Sequence, residues 1–134
     1  MIAAIADTHT VIWYLYSDPR LGSNASAFID ATIASGNHIA ISSISLAEMV
    51  YLIEKKNRIP ANALEVILAA MADPRAVLQQ IPLDDRVVLK MPEVPREDVP
   101  DLPDRIIAAT AQLYLVPLLS RDRRIRSSTV PTIW

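Results

Sequence analysis

Asp7, Glu48, Asp104 and Asp122 are the residues of this 134-residue chain whose type and placement suit chemistry. Asp7 closes the apolar run Met1-Ile2-Ala3-Ala4-Ile5-Ala6, and Glu48 lies in Ser42-Ser43-Ile44-Ser45-Leu46-Ala47-Glu48. Asp104 opens the helical stretch Asp104-Arg105-Ile106-Ile107-Ala108-Ala109-Thr110-Ala111, and Asp122 follows the strand-like Val116-Pro117-Leu118-Leu119-Ser120-Arg121. Each stands where a strand hands over to a helix or where a helix begins. The carboxyl ends of the strands of an open parallel sheet share one edge, so acids far apart in sequence can meet there. Carboxylates brought together repel one another unless a hard divalent cation, typically Mg²⁺ or Mn²⁺, holds them. The chemistry suggested is metal-assisted phosphoryl transfer.

Each acid also has a plainer reading. Ser45-x-x-Glu48 and Asp101-x-x-Asp104 both have the form of a capping box, and Asp7 and Asp122 suit the caps of the helices that follow them. One at a time, capping explains them. As a set at one edge, four acids create a repulsion that capping does not require. Absences narrow the alternatives. Gly22 and Gly36 are the only glycines, so no glycine-rich loop cradles a triphosphate or dinucleotide. No serine sits in a nucleophile elbow. His9 and His38 lack a partner at metal-ligand spacing: His38 reads as structural within a strand, and His9 as a packing or capping residue close to Asp7.

The elements that must position these acids follow from the apolar pattern. Met1 to Ala6 reads as a short buried strand, followed by a helix from Thr8 or Thr10 to about Tyr16 and a break at Asp18-Pro19. Ser23 or Asn24 caps a second helix with Ala27, Phe28, Ala31 and Ile33 on its apolar face, stopped by Gly36-Asn37. His38 to Ile41 is the second strand. A third helix carries Ile44, Ala47, Val50, Tyr51 and Ile53 and ends in the cationic Lys55-Lys56-Asn57-Arg58. Pro60 starts a fourth helix bearing Leu64, Ile67, Leu68 and Met71. Ala76 to Ile81 is a strand and Leu83 to Lys90 a short helix. The proline-rich Met91 to Pro103 is a loop, Asp104 to Leu115 a helix and Val116 to Ser120 a strand. An arginine-rich turn then leads to an edge strand at Val130 to Trp134. Strands alternating with helices predict an α/β fold, a three-layer sandwich with a mainly parallel central sheet flanked by helices. No linker or repeat interrupts residues 1–134, which read as one domain.

Bulk properties bound the function. The absence of cysteine excludes disulfides, thiolate zinc sites and a cysteine nucleophile. No apolar run reaches the roughly 20 residues that span a bilayer, and the start lacks a signal peptide, which points to the cytoplasm and away from a membrane. Hydrophobic residues make up 51% of the chain, so another chain covering apolar surface, as in a homodimer, is one expectation and a rich core the other. Net charge is −2, yet Arg121, Arg123, Arg124 and Arg126 cluster beside Asp122, downstream of the acidic Asp84, Asp85, Glu93, Glu97, Asp98 and Asp101. A local basic patch of this kind either binds phosphates or is a solvated face.

The ordered combination Ile5-Ala6-Asp7-Thr8-His9, Ser45-Leu46-Ala47-Glu48, Asp101-Leu102-Pro103-Asp104-Arg105 and Leu119-Ser120-Arg121-Asp122 closely resembles the PIN-domain family over almost the full length. The Asp-Thr-His-Thr-x-Ile-Trp opening and the closing Val130-Pro131-Thr132-Ile133-Trp134 are similar to VapC-type toxins of bacterial toxin–antitoxin pairs. No single motif is specific; their order is. The resemblance implies a metal-dependent endoribonuclease acting on single-stranded or loop regions of RNA, often tRNA or rRNA, through a metal-activated water attacking phosphorus in line. Asp7, Glu48, Asp104 and Asp122 are then the acidic quartet binding one or two Mg²⁺ or Mn²⁺ ions. Asp7 and Asp104 are the direct ligands, Glu48 completes the shell or orients water, and Asp122 acts through a water. Ser120 supports the site by hydrogen bonding, and Thr8 contributes through its backbone or from behind a ligand.

In the same reading Arg105, Arg121, Arg123 and Arg124 face RNA phosphates, although Arg105 also suits an ion pair with Asp101 or another acid. A cognate antitoxin inserts a basic residue among the acids, and two copies form a homodimer. The alternative is a catalytically inactive binding or scaffold module, which has no reason to keep all four acids. A structure-specific DNA nuclease needs additional arches and clamps, and a phosphoaspartate receiver needs a paired acid and a lysine that this chain lacks.

Overall fold

The computed structural model describes residues 1–55 and 58–134. Five strands form one all-parallel sheet in the order β3-β2-β1-β4-β5: β1 Ile2–Ala6, β2 His38–Ser42, β3 Leu78–Ile81, β4 Leu118–Leu119 and β5 Thr132–Ile133. Among the described residues seven helices connect them: α1 Thr8–Leu15, α2 Ser23–Ala34, α3 Ser43–Glu54, α4 Ala63–Ala70, α5 Asp85–Lys90, α6 Leu102–Tyr114 and α7 Arg123–Arg126. A 3-10 turn at Met91–Glu93 joins α5 to the loop before α6.

Strand alternation makes the layers. Ile5, Ala40 and Leu118 pack with α6 residues such as Ile107 and Ala111, with Val87 of α5 and with Ile125 of α7. Their strand neighbours Ala4, Ala6, Ile39, Ile41 and Leu119 turn to the other face, onto Val11 and Trp13 of α1, Ile29 of α2, Met49 of α3 and Ile67 of α4. Successive strand side chains point to opposite faces, so a sheet buried on both sides needs apolar residues at every position. Near-continuous runs such as Ala4-Ile5-Ala6 meet that need, and the result is the expected three-layer α/β sandwich.

Order in the sheet decides where a site can form. The chain leaves β1 toward β2 and β3, then returns to the other side of β1 for β4 and β5. Ala6 pairs with Ile41 on one side and Leu119 on the other, which brings the carboxyl ends of β1, β2 and β4 level. The reversal between β1 and β4 opens a crevice at that edge, where α/β sheets characteristically bind ligands.

Several local expectations are corrected. Helix α2 buries Ala25, Ile29 and Thr32, whereas Ala27, Ala31 and Ile33 are exposed; Ala25-x-x-x-Ile29 carries the true stripe, one position off the richer run. In α3 it is Ser45 and Met49 that are buried, while Val50 and Tyr51 face outward. Helix α4 starts at Ala63, after a turn closed by Ala63 N–H donating to the Pro60 carbonyl. Helix α6 begins at Leu102, with Pro103 in its first turn, because proline lacks only an N–H that a helix start leaves unused. The arginine-rich turn is the short helix α7. Lys55 caps the end of α3, and the expected Lys56 and Asn57 lie outside the described residues.

The C-terminal residue closes the α1–α2 side. The Trp134 ring meets Trp13 edge-on at 5.6 Å, and its backbone passes directly over Gly22. A Cβ at Gly22 would lie 2.7 Å from the Trp134 carbonyl carbon and 2.8 Å from the indole. Gly22→Ala is therefore expected to destabilise the protein by about 1–3 kcal/mol, the usual cost of overpacking. Urea unfolding followed by tryptophan fluorescence measures it; an unchanged midpoint would show that the C-terminal strand is not held against this loop.

Candidate active site

Five carboxylates line a single cavity of about 300 Å³ at the carboxyl edge of the sheet: those of Asp7, Glu48, Asp101, Asp104 and Asp122. Thr8, His9, Trp13 and Arg121 complete its wall. All four acids singled out in the sequence are thus brought together, and a fifth joins them.

Most of these acids do the work that their plainer reading assigned, with one oxygen each. Asp7 caps α1: its Oδ1 accepts from Thr10 N–H at 2.9 Å and from the Thr10 hydroxyl at 2.6 Å. That hydroxyl also lies 2.9 Å from the Leu119 carbonyl, tying the cap to β4. Asp122 caps α7 through Oδ1, accepting from Arg124 and Ile125 N–H at 2.9 and 3.1 Å. Asp101 caps α6 through Oδ2, accepting from Asp104 N–H at 3.2 Å. In each case no hydrogen bond to the other oxygen occurs among the described residues. Capping and ligation are therefore compatible, because a carboxylate has lone pairs for both.

Glu48 departs from its capping reading. The cap of α3 is Ser42, whose hydroxyl accepts from Ile44 N–H at 3.2 Å, and Glu48 lies in the second turn. Its Oε1 accepts from the Thr8 hydroxyl at 2.6 Å, and that hydroxyl is also 2.9 Å from the Ser45 hydroxyl. Thr8 thus touches Glu48 directly and locks α1 to α3. Ser120 is fully buried and its hydroxyl accepts from Asp122 N–H at 3.0 Å, fixing the turn that presents Asp122.

Asp104 makes no carboxylate hydrogen bond among the described residues. Its pKa is pushed up to about 7, first by burial and then by the negative charges of Asp101, Asp122, Glu48 and Asp7. Glu48 is raised as well, chiefly by burial and against the lowering effect of the Thr8 hydroxyl. Five carboxylates against the Arg121 guanidinium leave an excess of negative charge in the cavity, which suits hard oxygen-seeking cations. No three acidic or imidazole groups among the described residues converge on one point, an arrangement that mutual repulsion favours. Carboxylate oxygens are the donor type that a hard divalent cation takes.

The arginines divide. Arg121 lines the cavity with its guanidinium 4.6 Å from the centre of the Trp13 ring. Arg123 and Arg124 lie exposed on α7, with Arg124 reaching the Glu97 carbonyl at 3.4 Å. Arg105 is turned elsewhere. Its guanidinium donates to the carbonyls of Val94 and Met91 at 2.9 and 3.1 Å, pinning the proline-rich loop to α6 rather than a phosphate or an acid. His38 donates from Nδ1 to the Ala76 carbonyl at 2.7 Å, the structural role expected of it. His9 is instead exposed in the cavity wall, its ring tilted over Trp13 at 5.6 Å. Asp101 and Trp13 were not among the site residues legible in the sequence. Asp101 carried a signal, its position three residues before Asp104, but that signal named only the cap.

The PIN domain profile matches residues 4–128. The chain belongs to the PIN domain family. No curated protein matches it significantly in sequence. Among solved structures, it is similar to the DNA-bound VapBC of Salmonella typhimurium, with 19% identity, TM-score 0.71 and coverage of 98% of this chain and 97% of that one. VapBC2 of Rickettsia felis bound to a promoter DNA fragment matches with 19% identity, TM-score 0.70 and the same coverage. A toxin–antitoxin complex from Klebsiella pneumoniae matches at 25% identity and TM-score 0.60, over 93% of this chain and 92% of that one.

The raised pKa of Asp104 has a consequence for stability in this PIN domain. An unfolded Asp ionises near 3.8 and the folded one near 7, so between these values the folded state holds a proton that the unfolded state releases. Stability therefore falls as pH rises from about 4 to 7, in the direction that Glu48 reinforces. In EDTA, the melting temperature of the wild type is expected to drop between pH 5 and 8 and that of Asp104→Asn to drop less. Equal slopes in the two proteins would show that the Asp104 carboxyl is not raised by its surroundings.

Proposed function

We propose that the protein is a divalent-cation-dependent endoribonuclease, the toxin of a VapBC-type pair, hydrolysing phosphodiester bonds in RNA. The observation carrying this reading is the half-buried Asp104 among four other carboxylates, an arrangement that costs stability and that a scaffold has no reason to keep. Asp7, Glu48, Asp104 and Asp122 are the residues that would hold Mg²⁺ or Mn²⁺, through the oxygens their caps and the Thr8 contact leave free. A bound divalent cation supplies charge neutralisation at the phosphate and acidifies a water molecule. The protein contributes orientation. Thr8 holds Glu48, Thr10 holds Asp7 and Ser120 holds the Asp122 turn, so that three acids are fixed by groups behind them. Arg121, seated on Trp13 at the rim, offers a guanidinium to a substrate phosphate. Arg123 and Arg124 extend that cationic edge, while Arg105 is left to its loop.

Two partners follow from the same surface. An apolar groove formed by Ile44, Ala47, Tyr51 and Pro103 shares Glu48 with the acidic cavity and suits an antitoxin segment that reaches a basic side chain among the acids. Val88, Leu89 and Leu115 are exposed and apolar near the α5–α6 side, which suits cover by a second copy of the chain. No helix among the described residues is long and apolar enough to cross a membrane.

The direct test is incubation of purified protein with pooled tRNA and rRNA in Mg²⁺ or Mn²⁺ and in EDTA. Cleavage is expected only with metal. Asp104→Asn and Asp7→Asn should each lose more than about 100-fold, since even groups behind metal ligands are commonly worth 10- to 100-fold. Cleavage that persists in EDTA would overturn the metal reading. Folded, antitoxin-free protein that cuts nothing would favour the scaffold.

A further inference from the structure

A second cavity, of about 410 Å³, adjoins the acidic one, and His9 and Trp13 line both. Its volume falls within the roughly 300–1,000 Å³ usual for small-ligand sites. Besides those two rings it presents Tyr16, Arg20 and Arg58, over an apolar wall that includes Ile59. Among the described residues, Asp18 is the one acid in it.

We propose that this cavity is a subsite for an unpaired nucleotide that flanks the phosphate cleaved; the proposal rests on the nuclease reading above and gives it a direction along the RNA strand. The chemistry of the lining matches a nucleotide group by group. Aromatic rings offer π-faces on which a base stacks without regard to its identity, and guanidiniums offer charge and forked donors to phosphate. Arg20 is already positioned. Its Nη2 and Nε donate to Asp18 at 2.7 and 3.0 Å, and its guanidinium carbon lies 5.0 Å from the centre of the Trp13 ring. Arg121, on the acidic side, stands over that same ring at 4.6 Å. Trp13 therefore carries one cation that lines each cavity, the two within about 10 Å of each other. A strand whose scissile phosphate lies at the carboxylates can lay its neighbouring phosphate and base along this pair.

A protein segment is the competing occupant, and the charges argue against it. An antitoxin segment that delivers a basic side chain to five carboxylates is itself cationic there, and Arg58 would oppose its passage through the second cavity, where Asp18 already balances Arg20. A polyanion is favoured at both. The acidic cavity accepts it only together with a cation, and the second accepts it directly.

Tyr16, Arg20 and Arg58 are partly or largely exposed, so their substitution spares the core. The experiment measures kcat and KM of wild type, Tyr16→Ala, Tyr16→Phe, Arg58→Ala and the Tyr16→Ala/Arg58→Ala pair. The substrate is a single-stranded oligoribonucleotide taken from a site cleaved in the tRNA and rRNA pool, with versions shortened stepwise from each end. Tyr16→Ala and Arg58→Ala are expected to raise KM about 10-fold, with kcat within about 2-fold and an unchanged melting temperature, the signature of lost binding. Tyr16→Phe, which keeps the ring, should behave as wild type. The penalty should vanish when the RNA is shortened from one end and persist when it is shortened from the other. Wild-type KM in the Tyr16→Ala/Arg58→Ala protein overturns the subsite while leaving the nuclease standing. So does a variant that keeps RNA kinetics but escapes inhibition by the antitoxin, which would give the cavity to the protein partner. A wild type that cleaves no RNA fails the nuclease reading and the subsite with it.

Discussion

Repulsion among carboxylates in a confined cavity is the interaction on which the rest of this molecule turns. Asp104 is partly buried among four other acids, and burial first, then their charges, hold its carboxyl near a pKa of 7. Such a group is unfavourable in the metal-free fold, so the surrounding structure must supply rigidity that repulsion cannot undo. It does so with backbone N–H groups. Asp7, Asp101 and Asp122 each spend one oxygen on the cap of the helix that follows, which fixes side-chain direction without exhausting the lone pairs. Hydroxyls of Thr8, Thr10 and Ser120 add a further set of anchors from behind. The cost is local, and the caps keep it from spreading.

The sheet explains why the acids meet at this place. With β1 central and β4 returning beside it, the turns after β1 and β4 are neighbours, and the helix after β2 starts alongside. Small residues at Ala4 and Ala6 let α1 and its Trp13 settle onto the same face. Trp13 then serves two environments. It is 4% exposed and packs into the core against Trp134, yet it lines both cavities and supports two guanidiniums. Core packing and the cationic rim of the site are thus carried by one side chain, and a change in either is felt by the other.

Much of this was readable from sequence because it rests on local rules. Strand runs bounded by Asp, Ser or Gly, the Asp18-Pro19 break and Gly36 at the end of α2 are decided within a few residues. That Asp7, Glu48, Asp104 and Asp122 could converge followed from parallel topology, and the ordered resemblance to the PIN family weighed in favour of it. What escaped was set by packing across the chain. The buried face of α2 is chosen by what β1 and β2 leave uncovered, so the apolar stripe in its own sequence misled. Arg105 adjoins a proposed ligand in sequence, but a helix turns neighbouring side chains about 100° apart, and its guanidinium meets the loop at Met91–Val94 instead. Trp13 had no legible role, and His9 was read chiefly as a packing or capping residue, because a wall shared by two cavities is a property of the assembled surface.

A chain of net charge −2 that gathers five carboxylates into its cleft has little long-range pull on a polyanion. On the proposed nuclease reading its hold on RNA would have to come from short-range contacts, and the structure gathers cations at one place. Arg121 and Arg20 rest on one indole ring, and the ring removes part of the freedom that a guanidinium otherwise loses on pairing with phosphate. On that reading, cations placed in this way would do little to raise the encounter rate but would hold a bound strand. The acidic cleft, addressing phosphate through a cation, would not discriminate among bases, and rings that stack any base add little discrimination. Selectivity for one RNA would then rest on the shape of the strand that brings one phosphate to the carboxylates while its neighbour reaches the cavity of His9, Trp13 and Tyr16 beside them.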